Sequence, residues 1–308
     1  MNTHTVRANI LLLLTAVIWG VAFVAQRMGM EHVGPFTFNG VRFALGGLSL
    51  LPLLFINRKK AEETSSMQTK SLIWGGFLAG CALFTGASLQ QIGIVYTTAG
   101  KAGFITGLYV VIVPILGLLW KQHTSLGTWL GACLAVIGMY LLSVTGQFTI
   151  SHGDLLVLIG AFFWAAHVQL IGWLTRRMDT LKIAFLQCIT CSLFSLVTAF
   201  FTERVTRQGL TGAFLPICYG GLLSVGVAYT LQVVAQRHAH AAHAAIILSL
   251  ESVFAAISGW LILHELLSLR GIIGCVLMLA GMFMSQCNLT REGLRSRLSS
   301  LCHRQKKI

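Results

Sequence analysis

Two charged side chains, one acidic and one basic, stand inside long apolar stretches of this sequence, where a charge is costly. Glu251 follows His243 by eight residues in one such stretch, and Ser258, seven residues further on, shares its helical face. Such groups usually face a protein interior or a water-filled cavity. Glu251 is therefore a proton-binding candidate, or a carboxyl that fixes helix packing. We interpret Arg42, in another stretch, first as a structural charge that reaches the interface from a helix end. Its alternative role is to attract a carboxylate or pair with Glu251.

Aromatic and polar side chains recur at helical spacing in other apolar stretches. Trp19, Phe23 and Gln26 fall on one helical face, and His167 follows Trp164 by about one turn. Such stripes suit a pocket for flat or amphipathic compounds, although the same spacing also serves helix packing. Further amides and hydroxyls, which either bind a compound or bridge helices, belong to Ser88, Gln91, Tyr109, Tyr229 and Gln232.

Histidines and cysteines do not form a metal-binding pattern. Two or three imidazoles of His238, His240 and His243 could hold a metal, but no carboxylate or thiol stands beside them, so we interpret them first as polar residues of a loop. The eight cysteines are scattered, and the pair Cys188 and Cys191 has no second pair at zinc-site spacing. The sequence therefore predicts no metal and no cofactor.

Composition places the chain in a membrane. Hydrophobic residues make up 56% of the 308 residues and charged residues 10%, which is too apolar for a soluble core under a charged surface. The segments lack the alternation of outer-membrane strands, and no cleavage site marks the first as a secretory signal. We expect an all-α integral membrane protein. A span needs about 20 apolar residues, and we place ten transmembrane helices that start near Asn9, Phe36, Leu72, Ala102, Leu126, Asp154, Ile183, Phe214, His243 and Gly271.

The distribution of lysine and arginine predicts the orientation. With a cytoplasmic N-terminus, 16 of the 22 basic residues fall on the cytoplasmic side and five on the opposite side, with Arg42 inside a span. This bias predicts both termini in the cytoplasm and a location in the cell (inner) membrane. It also accounts for the net charge of +13 without a nucleic-acid partner.

The second half of the chain repeats the first. Trp19 corresponds to Trp164 at an offset of 145, and the segment from Gly131 to Gly138 returns 143 positions later. Because each half has five predicted spans, an odd number, the second half enters the membrane from the opposite side, which makes the repeats inverted. We place the first repeat at residues 1–147, the second at 148–290, and a basic cytoplasmic tail at 291–308.

The repeated motifs resemble those of the EamA-type transporters of the drug/metabolite transporter superfamily. The resemblance rests on Trp19-Gly20, on Arg42-Phe43, on Gly131 with Gly138, and on the run from Ala244 to Ala256 with Glu265. The chain departs from the family pattern at two places: Ser252 stands where the family usually has a proline after the ninth-span glutamate, and the fourth span ends in Trp120-Lys121-Gln122-His123 without the family's glutamate. Pro114, within the fourth span, permits a kink there. The resemblance implies two inverted five-helix repeats, a central cavity and the export or exchange of amino acids or similar metabolites.

These observations favour a secondary transporter that exports a small-molecule substrate by alternating access. The sequence has no phosphate-binding loop for an ATP-driven pump and no hydrolase or metalloprotease motif, so we expect no enzyme. The alternatives that stay open are a channel and a membrane-embedded enzyme. The oligomeric state is also open.

Overall fold

The computed structural model describes residues 3–57, 66–97, 99–122, 124–143, 151–263 and 268–286. Glu265 and the basic tail at 291–308 lie outside the described residues. The described part of the chain is helical and contains no strand. Its helices are α1 (Thr3–Gly29), α2 (Pro35–Ser49), α3 (Leu51–Asn57), α4 (Ser66–Tyr96), α5 (Ala99–Gly107), α6 (Tyr109–Leu119), α7 (Leu126–Ser143), α8 (His152–Leu174), α9 (Thr180–Thr202), α10 (Arg207–Gly212), α11 (Phe214–Cys218), a π-helical segment (Tyr219–Tyr229), α12 (Thr230–Gln236), α13 (Ala241–Leu248), α14 (Glu251–Leu263) and α15 (Leu269–Gln286).

Eight helical stretches in the described residues are long and apolar enough to cross a membrane. They are His4–Gly29, Pro35–Ile56, Lys70–Tyr96, Ala102–Leu119, His152–Leu174, Thr180–Thr202, Phe214–Gln236 and Ala241–Ile262. The remaining two predicted spans, which start near Leu126 and Gly271, coincide with shorter apolar helices, Leu126–Leu142 and Leu269–Ser285. The protein is therefore an all-helical membrane protein, and the count of ten spans stays a prediction.

The outer surface of the helices is apolar. Phe200 and Phe201 of α9 are 81% and 78% exposed, and Leu119 and Leu215 are about as exposed. In water, such an apolar surface would promote aggregation, whereas the hydrocarbon layer of a membrane solvates it well. These side chains face lipid.

The most extensive helix contacts join the first half of the chain to the second. α7 packs along α15, α4 packs against α8 and α9, and α2 packs against α9 and the π-helical segment. Helix pairs that correspond in the two repeats make corresponding contacts. For example, α1 packs against α14, and their counterparts α8 and α6 also pack against each other. One buried apolar cluster contains residues of both halves. The two halves interlock rather than sit side by side.

Glycines of the repeated segment form the contact between α7 and α15. Gly131 lies against the carbonyl oxygen of Gly281, and Gly138 lies against that of Gly274. Small residues allow helix backbones to approach closely in lipid, and a Cβ at any of these positions would collide with backbone atoms. Higher numbers on α7 meet lower numbers on α15, so these two helices run antiparallel.

Two spans are interrupted at corresponding points of the repeat. Leu108 separates α5 from α6, and Ser249 and Leu250 separate α13 from α14. At an offset of 141, Leu108 corresponds to Ser249. Both interruptions tighten the backbone into i−3 hydrogen bonds, from Leu108 N to Ile105 O in the first half and from Leu250 N to Ile247 O in the second.

The positions of the interruptions differ from the proline-based expectation. Pro114 lies inside α6 with the helix continuing on both sides, and the tightened turn of the fourth span lies six residues earlier, at Leu108. The ninth span is interrupted although Ser252 replaces the usual proline. Ser252 Oγ donates to the carbonyl oxygen of Gly103 at 3.1 Å, which ties the start of α14 to α5.

Candidate functional site

A cavity lies at the interruptions, between the halves. Its volume is about 40 Å³, room for about three water molecules. Side chains from both halves line it, and aromatic, amide, hydroxyl and ionisable groups alternate with apolar ones. The lining residues are Trp19, Ala22, Phe23, Gln26, Arg42, Gln90, Thr106, Tyr109, Trp164, Val168, Ser224, Tyr229, Gln232, Leu248 and Glu251.

Aromatic rings form one wall of the cavity. The Tyr229 ring lies between the two repeat-related tryptophans, 4.7 Å from the Trp19 ring and 6.3 Å from the Trp164 ring, which it stacks on at 22°. Trp19 Nε1 donates to the carbonyl oxygen of Ser224 at 3.1 Å. Trp164 Nε1 is buried without a hydrogen-bond partner in the described part of the chain. The two halves thus contribute equivalent rings with different polar surroundings.

Tyr109 and Glu251 occupy the helix starts beside the cavity. Tyr109 is the first residue of α6 and Glu251 the first of α14. The Tyr109 hydroxyl donates to Glu251 Oε1 at a long 3.4 Å, and the Glu251 side chain is 5% exposed. Ser258, on the same helix, is used for packing, because its hydroxyl donates to the carbonyl oxygen of Ala255 at 3.0 Å. The carboxyl therefore faces the cavity with one weak partner.

Arg42 lines the cavity and does not extend to the membrane interface, which corrects our first interpretation of its position. The side chain is 3% exposed. Its guanidinium carbon lies 5.3 Å from the centre of the Phe38 ring and 5.0 Å from that of Phe43, and Nε donates to Asn39 Oδ1 at 3.0 Å. These three neighbours on α2 hold the side chain inward. Arg42 forms no ion pair with Glu251.

His167 stands behind the aromatic wall rather than in the lining. Its Nε2 lies 2.8 Å from Gln187 Oε1, and its ring contacts Trp164 and Tyr229 edge-on. The imidazole is fully buried. It supports the two rings that line the cavity.

Ser88 and Gln91 of α4 are buried but do not line the cavity, whereas Gln90 does. One residue along a helix turns the side chain by about 100°, so the choice between Gln90 and Gln91 depends on how α4 is rotated. The polar side-chain atoms of Ser88 and Gln91 have no hydrogen-bond partner within the described ranges. Thr106 and Ser224 also line the cavity, and each stands in an apolar run that gives no signal for it.

The histidine cluster has a packing role. His243 lies inside α13, with Nδ1 2.9 Å from Ser285 Oγ and Nε2 3.0 Å from Asn9 Oδ1, and it joins α13 to α15 and α1. The ring of His238 stacks on that of His4 at 5.3 Å. Burial, with a smaller effect of Arg176, lowers the pKa of His240 at the start of α13. Among the described residues, no three histidine, cysteine or acidic side chains are placed to hold a metal.

Comparison with known proteins identifies the family. The EamA-like transporter family matches twice, at residues 6–144 and 151–286. An uncharacterized transporter of Archaeoglobus fulgidus is 34% identical over 262 residues, which are 85% of this chain and 80% of the relative. The uncharacterized transporter YoaV of Bacillus subtilis is 25% identical, over 89% of this chain and 95% of the relative. A solved protein structure shares the fold with a TM-score of 0.75 at 16% identity, covering 91% of this chain and 96% of its own. This chain is a membrane transporter that belongs to the EamA-like transporter family.

Proposed function

We propose that this transporter exports amino acids or related small metabolites across the cell membrane by alternating access, as a secondary carrier. The observation that carries the proposal is the central cavity at the two interrupted helices. A tightened turn inside a helix often marks a functional hinge, and the substrate sites of secondary transporters lie near the bilayer midplane at the interface between the repeats.

An inverted relation between the repeats is part of the proposal. The antiparallel glycine contact between α7 and α15 supports it, since corresponding helices of inverted repeats point in opposite directions. The exchange of contacts between the halves supports it as well. One half then rocks against the other, with both termini in the cytoplasm.

The size of the cavity supports a cycle in which the helices move. A space of about 40 Å³ is too small for a metabolite and has to widen when one binds. Gln26, Thr106 and Gln232 line this space, and each has a buried polar atom that lacks a hydrogen-bond partner among the described residues. A polar solute that enters would satisfy them.

The proposal is tested by a metabolite screen. Extracellular compounds are compared between cells that overexpress the protein and cells that lack it, and the compounds that change are followed in proteoliposomes by counterflow. We expect saturable transport that speeds up when the same compound is present on the opposite side. Linear flux without such acceleration would indicate a channel, and chemical conversion of the compound would indicate an enzyme.

A further inference from the structure

Arg42 is a buried cation without a buried anion against it. Its guanidinium is held by the Phe38 and Phe43 rings and by Asn39. Within the described ranges, Nη1 and Nη2 donate no hydrogen bond to a protein group, and no carboxylate lies within ion-pair distance. A buried charge without a counter-ion is unfavourable. The structure therefore leaves two donors of Arg42 free to bind something at the cavity.

The groups around the guanidinium define what it can bind. From its own helix it faces the two phenylalanine rings and the Asn39 amide. From the other elements the cavity adds the Tyr229 hydroxyl, the Gln232 amide and the Glu251 carboxyl. The planar fork of an arginine matches the two oxygens of a carboxylate. We propose that Arg42 is an anion subsite that binds the carboxylate of the transported compound, an inference that rests on the proposed transport function.

Charge balance favours a carboxylate over a phosphate. Among the described residues that line the cavity, Arg42 is the one cationic side chain, and Glu251 is the one acidic side chain. When Glu251 is protonated, the one arginine neutralises one negative charge, whereas a phosphate of charge near −2 would stay partly uncompensated. A compound with a single carboxylate meets this limit.

The subsite belongs to one half of the molecule. At an offset of 145, the residue that corresponds to Arg42 is Gln187. The Gln187 amide oxygen is already used by His167 at 2.8 Å, and the side chain carries no charge. The halves are alike in their tryptophans and unlike at this position. The carboxylate end of the compound is therefore fixed toward α2, and the compound binds in one orientation.

The metabolite screen tests this inference on the wild-type protein. We expect every compound whose extracellular level depends on the protein to carry a carboxylate. Transported compounds that lack an anionic group, or that are phosphate esters, would overturn the role of Arg42 and leave the transport function in place. If the wild-type protein moves nothing, the proposed function fails, and this inference fails with it.

Variants test the residue itself. Arg42→Gln should lose at least about tenfold in apparent affinity for the carboxylate compounds, because a hydrogen bond to a charged group is worth that much or more. Arg42→Lys, which keeps the charge without the planar fork, should recover part of the loss. The matched control is Arg270→Gln, which removes an exposed arginine that lies 5.2 Å from the Tyr140 ring centre. Wild-type affinity in Arg42→Gln would contradict the proposal. If Arg42→Gln does not accumulate in the membrane, Arg42→Lys and the screen provide the test. The proposal is then contradicted when Arg42→Lys keeps wild-type affinity and the transported compounds lack a carboxylate.

Discussion

Glu251 combines deep burial with one long hydrogen bond, and it is the acidic group that faces the cavity. A charge at this place is costly when the helices close, and a protonated carboxyl is much less so. We expect protonation of Glu251 to permit closure, since any difference in proton affinity between two states shifts their populations.

The first prediction is that Glu251→Gln removes the pH dependence of transport. Glutamine mimics the protonated carboxyl at nearly constant volume, so the variant should fold, exchange substrate and show a flat pH profile. Transport is measured in proteoliposomes across a pH series from mildly acidic to mildly basic, with the exposed Glu31→Gln as control. A wild-type rate and pH profile in Glu251→Gln would leave Glu251 as a packing residue.

The two repeat-related tryptophans give the second prediction. Trp19→Ala and Trp164→Ala should each weaken transport, because both indoles line the cavity and contact the Tyr229 ring. An aromatic pair is worth about 0.5–1.5 kcal/mol beyond its buried area, so a loss of several-fold in affinity is expected, with protein still present in the membrane. Trp74→Ala removes an exposed indole and is the control. Unchanged affinity in both cavity variants would contradict the substrate role of this wall.

Individual cavity residues can be predicted from the sequence where a stripe of aromatic and polar side chains is long enough to indicate which face of the helix is turned inward. Trp19 and Phe23 belong to such a stripe, and both line the cavity. On α4 the sequence favours Gln91 in place of Gln90, because a span buried on several sides does not reveal its rotation in its sequence. Arg42 is predicted correctly within a span but not within the cavity, since the rings that turn it inward act through packing.

At the scale of the helices, the turns within the fourth and ninth spans matter most for the site, because the cavity lies beside them. Sequence signals point to Pro114, yet the backbone tightens at Leu108 and again near Ser249, with helix on both sides of each place. Gly107 stands beside Leu108, whereas no glycine or proline stands next to Ser249 or Leu250. The sequence does not predict the π-helical segment that ends at Tyr229 either. This segment supplies Ser224 and Tyr229 to the cavity. Such irregular backbone occurs where it lines a cavity, so tertiary contacts decide its position.

At the contact between α7 and α15, Gly138→Ala should destabilise the protein. A Cβ at this position meets the backbone of Gly274, which cannot rotate away. Overpacking of this kind costs about 1–3 kcal/mol. The control is Gly172→Ala on α8, where the added carbon would lie 3.6 Å from Ala241 Cβ, an ordinary contact. Thermal unfolding of the purified proteins checks the difference, and equal melting temperatures would show that α7 and α15 adjust freely.

For the whole molecule, the excess of basic residues on one side predicts that both termini are cytoplasmic. A reporter fused after Ile308 should give the cytoplasmic signal, and a reporter fused in the turn between Glu203 and Arg207 should give the opposite one. An external signal at Ile308 in a normally expressed fusion would reverse the assignment of every loop.

The chain should also work as two pieces. A cut between residues 147 and 148 falls between α7 and α8, and the extensive contacts join elements on both sides of it. We expect each piece to be degraded when produced alone and transport to return when both are produced together. The amount of each piece in the membrane and the uptake of substrate measure this. A first piece that is stable by itself would show that contacts within one half suffice.

The interlocked packing has a consequence for synthesis. Ribosomes make about 5–20 residues per second, so roughly seven to thirty seconds pass between the synthesis of α7 and the completion of its partner α15. During this interval the glycine face of α7 and the polar side of α2, with Arg42, have no partner from the second half of their own chain. We therefore expect the nascent protein to be most vulnerable to membrane proteases midway through translation. Mutations that slow synthesis of the second half would lower the yield of transporter without changing any residue of the first.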